Sequence, residues 1–470
     1  MDEYIISLLS MDELAAAIGA RIIHPHERRF RHVTTDSRTI TDDSLFVALK
    51  GERFDAHDFI TQVIQSGGPA AIVSRELDVP ESFTLFVVDD VLSAFGKLAF
   101  AILQKRRTLG NFTTYGITGS NGKTTTKEIL STLLEGAGHH VLKTQGNHNN
   151  FVGLPMTVMM LKTTHDIAVL EMGTNAPGEI RYLSDIGRPD IGIITGVGPA
   201  HIEHFGSLQG VANAKGELLH ATGLKKIILP SVLQKYYLSC IPDSVEAIWC
   251  GDNTPISADH VQLSAVDTQF VLNDSADPAQ IRHFPVHLPL IGAHNISNFL
   301  VAYTAVRDAF HSALDLNNAC KSIKLPSGRL ERRITADNIV FLHDAYNANP
   351  ASMEQALLLV SKISNKDERC IILGIMGELG PQSPDFHREI GKLAGKIGAR
   401  KMLFVGDFAN DYRVGATESG MDLNDIRCVS SDDLESGINW LKPSLNPGML
   451  CLVKGSRSAK LERVLDFFNM

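Results

Sequence analysis

The stretch Gly116-Ile-Thr-Gly-Ser-Asn-Gly-Lys-Thr-Thr-Thr126 decides how the chain is read. It completes the β-like run Phe112-Thr-Thr-Tyr-Gly-Ile-Thr118 and leads into Lys127-Glu-Ile-Leu-Ser-Thr-Leu-Leu-Glu135. In that second segment the apolar residues at 129, 130, 133 and 134 recur with helical spacing, and Gly136 and Gly138 can end the helix. A strand, a glycine-rich loop and a helix N-terminus together form an anion site. Glycines let backbone N–H groups approach phosphates, and the helix dipole adds partial positive charge. Gly119, Ser120, Asn121, Gly122 and Thr125 are therefore expected around a nucleotide's phosphates. Lys123 is expected to reach the β- and γ-phosphates, and the Thr124 hydroxyl to ligate Mg²⁺. The loop departs from GxxxxGK[ST], because Ile117 stands where the first glycine is wanted and the glycines fall at 116 and 119. A plain glycine-rich turn before a helix is the bland alternative; the Gly-Lys-Thr-Thr run in its strand–helix setting weighs against it.

Further strands follow near Ile167-Ala-Val-Leu170 and Ile191-Gly-Ile-Ile194, with helical segments between, so parallel βαβ packing is predicted. A turn-rich, β-leaning stretch interrupts this block near residues 240–290. Before it, short β-like runs (Leu45–Leu49, Ala70–Val73, Leu85–Val88) precede an amphipathic helix over 91–107 that reads as a connector. After Lys324-Leu-Pro-Ser-Gly-Arg329, runs at Ile339–Leu342, Cys370–Leu373, Met402–Val405 and Met449–Val453 fit a second doubly wound sheet. The predicted class is α/β, and 470 residues at about 150 per domain suggest three domains.

Composition narrows the function. The net charge of −9 argues against a nucleic-acid scaffold, and 44% hydrophobic residues argue against disorder. The six cysteines form no CxxC pair, which excludes zinc-ribbon and thioredoxin motifs and suggests a reducing compartment. No basic leader and no long apolar run are seen, so no integral membrane segment and a cytoplasmic location are expected.

Glu171 ends one strand and His201 follows another, in Gly198-Pro-Ala-His-Ile-Glu203. In a parallel sheet both would join the phosphate loop at the carboxyl ends of the strands, where ligands bind. A carboxylate and an imidazole there suggest a metal site, although Mg²⁺ prefers oxygen; a structural hydrogen bond is the other reading of His201. By composition Lys215 is an exposed helix lysine.

The loop TGSNGKTTT, GNHNNFVGLP (146–155), LEMGTN around Glu171 and AHIEHFGSLQGVANAKGEL (200–218) together resemble the Mur ligase family. GAHNISNFLVAY (292–303), LPSGRLERR (325–333), DAYNANPASM (344–353), TTDSRTITDDSLFVALKGERFDAHDF (34–59) and VKGSRS (453–458) extend the likeness over nearly the whole chain, in order.

The resemblance implies three domains: a small α/β UDP-substrate domain (1–90), a central P-loop ATPase domain with a parallel sheet (91–322) and a Rossmann-like domain that closes on ATP and binds a dipeptide (323–470). It implies ligation of D-alanyl-D-alanine to UDP-N-acetylmuramoyl-tripeptide, with ATP converted to ADP and phosphate through an acyl phosphate. The enzyme is expected to be a monomer that binds no nucleic acid. Lys123, Glu171, His201 and Lys215 would be catalytic. Thr124 and Glu171 match a first Mg²⁺ position, and Glu171, His201 and a carbamylated Lys215 a second. Asn295 matches an adenine contact, Arg329 an arginine approaching the phosphates, and Asp344 a ribose contact. Ser37, Arg38, Lys50, His57 and Asn147 are implied on the UDP-substrate side, and Asn347, Asn349, Lys454, Ser456 and Arg457 near the dipeptide. In Ile371-Ile-Leu-Gly-Ile-Met-Gly-Glu-Leu-Gly380, Ile375 replaces the family's usual aspartate, which puts dipeptide affinity in question. Other ligases of the superfamily, and a P-loop switch that hydrolyses ATP without an amine acceptor, are the alternatives.

Overall fold

Strands β1 (Arg21–Ile23), β2 (His32–Thr34), β3 (Ser44–Val47), β4 (Ala70–Val73) and β5 (Thr84–Val87) form the first sheet, ordered β1-β5-β4-β3-β2. Only the β1–β5 pair is antiparallel. The computed structural model describes residues 3–199, 202–468 and 470. β3 and β4 are buried along their whole length, as short uninterrupted apolar runs in a covered parallel sheet should be.

The central sheet contains β6 (Thr113–Thr118), β7 (Val141–Lys143), β8 (Ile167–Glu171), β9 (Ile191–Ile194), β10 (Lys226–Pro230) and β11 (Glu246–Cys250). Its order is β11-β10-β9-β6-β8-β7, and every pairing is parallel. The β-leaning stretch divides in two. β11 joins the central sheet, while β12 (Ile256–Leu263), β13 (Thr268–Asp274) and β14 (Arg282–Leu288) make a separate antiparallel sheet. In β13 and β14 every second residue is buried, the period of a sheet covered on one face.

The last sheet holds β15 (Glu331–Ile334), β16 (Val340–Asp344), β17 (Arg369–Leu373), β18 (Lys401–Val405), β19 (Ile426–Val429) and β20 (Leu450–Lys454). Its order is β15-β16-β20-β17-β18-β19, parallel except for the antiparallel edge strand β15.

The helix expected over 91–107 runs Val91–Thr108 and is more than a connector. Asp90 caps it, and its Phe95, Leu98 and Ile102 join one apolar cluster with Leu45 and Phe86 of the first sheet and Leu170 and Ile194 of the central sheet. Each such side chain contributes about 1.5–3 kcal/mol when buried. Its basic end fastens to the central layer. Arg106 donates to the His165 carbonyl at 2.8 Å, and Arg107 pairs with Asp190 at 3.0 Å. Among the described residues no helix is long and apolar enough to cross a membrane.

Candidate active site

Four residues separate β6 from the helix Lys123–Gly136, and two of them are glycines for steric reasons. Gly119 (φ 148°) sits where a Cβ would fall 2.1 Å from Thr195 Oγ1; at Gly122 (φ 84°) it would fall 2.2 Å from Asn298 Oδ1. Gly116, which the glycine pattern had placed with the loop, lies inside β6. The loop is fixed from behind: Thr195 Oγ1 donates to the Asn121 carbonyl (2.5 Å), and Ser120 Oγ accepts from the Gly198 amide (3.0 Å). Lys123 Nζ folds back to donate to the Gly119 carbonyl at 2.7 Å. Burial pushes its ammonium below the ordinary lysine pKa; Glu171 opposes that shift and Arg329 adds to it.

Glu171 ends β8 and is 2% exposed. Both of its oxygens are engaged. Asn149 Nδ2 donates to Oε1 at 2.9 Å, and the Thr124 hydroxyl donates to Oε2 at 2.9 Å. Behind it lies Lys127, fully buried on the phosphate-loop helix. Its Nζ bonds the Thr144 carbonyl (2.6 Å), pairs with Glu128 (3.0 Å) and stands 3.9 Å from Glu171 Oε2. A buried carboxylate so surrounded keeps its charge compensated.

The third domain reaches this site directly. Arg329 Nη2 donates to Thr124 Oγ1 at 2.9 Å, and its guanidinium lies over the Tyr346 ring, 4.3 Å from the centroid. Gly328 (φ 80°) lets the chain turn there, since a Cβ would meet the Tyr346 amide at 3.2 Å. At the ends of β16 and β20, Lys454 Nζ bonds Asp344 Oδ2 at 2.6 Å and the Asn347 carbonyl at 3.1 Å. These groups enclose a cleft of about 1080 Å³ between the central and last sheets, lined by Lys123, Glu171, Asn295, Arg329, Asp344 and Lys454 among others.

The remaining expected residues fall as follows. Ser120, Asn121, Gly122, Thr124, Thr125, Asn147 and Asn347 also line the cleft. Asn295 lies in the first turn of the helix His294–Val306; its Nδ2 donates to the Ile291 carbonyl at 3.0 Å and its Oδ1 accepts from Asn298. Ser456 packs behind the cleft wall, accepting from the Gly377 amide at 2.9 Å, and Arg457 lies 5.8 Å from the Tyr346 ring centroid. Ser37, Arg38, Lys50 and His57 stand on the first-sheet domain, away from this cleft. Arg38 is exposed and paired with Asp36. His57 is buried, its Nε2 accepting from the Ser74 amide (2.9 Å) and its Nδ1 within 2.5 Å of Asp55. Ile375 is partly buried and packs against an apolar cluster of the last sheet. His201 lies outside the described residues.

Lys215 corrects the composition-based expectation of an exposed residue, for it is 1% exposed. It lies in the last turn of the helix Leu208–Gly216 with Nζ 5.8 Å from the Phe205 ring centroid. Burial pushes its pKa well below the usual lysine range and repulsion from Lys123 adds to this, against Glu179 and Glu217.

Sequence reasoning missed Asn149, Asn298, Lys127 and Tyr346. The Asn147-His-Asn-Asn150 run and the three-residue spacing of Asn295 and Asn298 were signals within quoted motifs. Nothing local marks Lys127, whose role depends on strands elsewhere in the chain.

The Mur ligase middle domain profile matches residues 117–306, the Mur ligase glutamate ligase domain residues 328–457, and the Mur ligase family catalytic domain residues 29–99. The chain is 32% identical, over 97% of both chains, to the UDP-N-acetylmuramoyl-tripeptide--D-alanyl-D-alanine ligase of Bacillus subtilis. A crystal structure of MurF from Acinetobacter baumannii superposes with a TM-score of 0.85 at 28% identity, covering 100% of this chain and 99% of that one. MurF from Thermotoga maritima, solved in complex with ADP, gives 0.79 at 26% identity over 93% and 96% of the two chains. With a phosphate loop, a buried strand-end glutamate and an arginine donated from a third domain, and with full-length relatives of this kind, the chain belongs to the Mur ligase family.

Proposed function

We propose that the chain is an ATP-dependent ligase that joins D-alanyl-D-alanine to UDP-N-acetylmuramoyl-tripeptide, forming a C–N bond in peptidoglycan precursor synthesis. The observation that supports it best is the convergence of Lys123, Glu171 and the third-domain groups Arg329, Asp344 and Lys454 on one cleft. A carboxylate is a poor electrophile. Attack of a tripeptide carboxylate oxygen on the γ-phosphorus of ATP expels ADP and gives the acyl carbon a phosphate leaving group. The dipeptide amine then attacks that carbon, and the tetrahedral intermediate expels phosphate and loses a proton. The protein's task is positioning and charge neutralisation. The loop amides from Gly119 to Thr125 cradle the phosphates, Lys123 swings from the Gly119 carbonyl to the γ-phosphoryl, and Arg329 meets it from the other wall.

Thr124 Oγ1 and Glu171 Oε2 are hard oxygen donors 2.9 Å apart, a set that fits Mg²⁺. They would hold one ion, whose charge offsets that of the phosphates. Among the described residues no group of three His, Cys, Asp or Glu is ready to hold a metal. The second site, of Glu171, His201 and Lys215, needs Lys215 to become an oxygen donor, because an ammonium repels the ion and a carbamate oxygen suits it. Burial lowers the pKa of the Lys215 amine, which favours its attack on carbon dioxide to give a carbamate with release of a proton.

We place the domain limits at 1–90, 91–322 and 323–470, with a hinge near 322–328 around Pro326 and Gly328. Asn295 is assigned to adenine, Asp344 to ribose, and Ser37, Arg38, Lys50, His57 and Asn147 to the UDP-substrate. Asn347, Lys454, Ser456 and Arg457 are assigned to the dipeptide side. The enzyme is read as a cytoplasmic monomer.

The test is phosphate release from ATP with UDP-N-acetylmuramoyl-tripeptide, with and without D-alanyl-D-alanine. Sustained release should need both. Hydrolysis indifferent to both, or equal turnover with single amino acids, would overturn the reading.

A further inference from the structure

Asn121 and Asn349 are 228 residues apart in sequence and face each other as a reciprocal amide pair. Asn349 Nδ2 donates to Asn121 Oδ1 at 2.8 Å, and Asn121 Nδ2 donates to Asn349 Oδ1 at 3.3 Å. One partner is in the phosphate loop; the other is the N-cap of the helix Pro350–Ile363 in the third domain. Asn349 is 3% exposed, and its Oδ1 also accepts from the Ser352 amide at 2.9 Å. A side-chain amide offers two N–H groups and two lone pairs, so three of its four hydrogen-bonding positions are used within the protein. Little is left for a substrate.

We infer that Asn121 and Asn349 are a positioning pair that registers the phosphate loop against the dipeptide-side domain, rather than ligands of nucleotide or dipeptide. This rests on the ligase reading given above. The loop's backbone is already held from behind by Thr195 and Ser120, so the Asn121 side chain is what it presents across the cleft. On the other side the capped helix packs against the sheet that carries Lys454, and Ser456 Oγ donates to the Ala348 carbonyl (3.3 Å), one residue before the cap. The loop thus presents a fixed Asn121, and the third domain docks on it with Asp344, Asn347 and Lys454 in place.

Two substitutions isolate the pair. Asn349→Ser keeps an N-cap oxygen for Ser352 but cannot reach Asn121. Asn121→Ala removes the contact from the other side and leaves the cap alone. Each should raise KM for D-alanyl-D-alanine about tenfold, the scale of losing two neutral hydrogen bonds, and Asn349→Ser should leave the affinity for a fluorescent ADP analogue unchanged. The double variant should be no more than about twofold worse than the poorer single variant, because the second change removes nothing further. A double effect equal to the product of the singles, a wild-type KM in Asn349→Ser, or lost ADP affinity confined to Asn121→Ala would overturn the proposal. Solution scattering with a non-hydrolysable ATP analogue separates this from the ligase reading. The wild type should contract and both variants stay expanded whatever the amine acceptor proves to be, and equal contraction in all three would refute the pair.

Discussion

Replacing Gly122 by alanine tests the phosphate loop at its most constrained point. Two costs follow from the structure. At φ 84° a Cβ-bearing residue is in the left-handed region, which costs about 1–2 kcal/mol. The new Cβ would also lie 2.2 Å from Asn298 Oδ1, so Asn298 must move. That breaks its bond to Asn295 Oδ1 (3.0 Å) and the one it accepts from Thr126 (3.4 Å), at about 1 kcal/mol each. In the empty protein the loop relaxes and avoids both costs. Nucleotide binding restores the conformation, so about 3.5 kcal/mol should appear as weaker ADP binding, roughly 300-fold. Displacement of a fluorescent ADP analogue reads this directly. Asn298→Ala supplies the internal control, because it empties the space the new methyl would enter. In that background Gly122→Ala should cost only the conformational part, about tenfold. If Gly122→Ala binds ADP within about threefold of wild type, or costs the same in both backgrounds, the close approach of Asn298 does not constrain the loop as argued.

Other outcomes follow from the same geometry. Lys215→Ala should abolish ligation and be rescued in part by short carboxylates; full activity without rescue would remove Lys215 from the metal site. Arg329→Met should lower kcat about a hundredfold while leaving KM for the UDP-substrate near wild type, a split read by steady-state kinetics. Asp190 provides the pH dependence. Burial raises its pKa, but hydrogen bonds from Arg107 and Thr114 outweigh that and hold it below the ordinary carboxylate value. A depressed folded-state pKa contributes stability that is present above the unfolded value near pH 4 and lost as pH falls through the folded value. The melting-temperature gap between wild type and Asp190→Asn should therefore be constant at neutral pH and narrow only below about pH 4. A gap that widens on acidification would contradict the assignment.

The parts of the fold that sequence made legible are those encoded over a few residues. β4 and β9 were delimited at Ala70–Val73 and Ile191–Ile194, because uninterrupted β-branched and small apolar runs between turn residues leave little choice. β7, β10, β15 and β19 were not foreseen; they are short or flanked by charge, and pairing with a neighbour rather than propensity makes them strands. The phosphate loop was legible because strand, glycines and helix are consecutive. Lys215 was misjudged because burial depends on what the rest of the chain packs over it. Lys127 and the pairing of Asn121 with Asn349 were invisible for the same reason, since each joins segments far apart in sequence. Ile375, read from the sequence as standing where the family usually has aspartate, is partly buried against an apolar cluster, a setting that favours an apolar side chain.

The placement of β20 has a consequence for how the protein is made. This strand, Leu450–Lys454, lies between β16 and β17 in the final sheet, yet it is synthesised after both. A nascent chain on the ribosome can complete its first and central sheets while the third domain still lacks its middle strand. During that interval Arg329 and Asp344 have been translated, but Lys454, which holds Asp344 at 2.6 Å, has not. A chain interrupted before residue 450 would carry the phosphate loop but not the strand that holds Asp344, so the last strand made decides when the two walls of the cleft can be organised together.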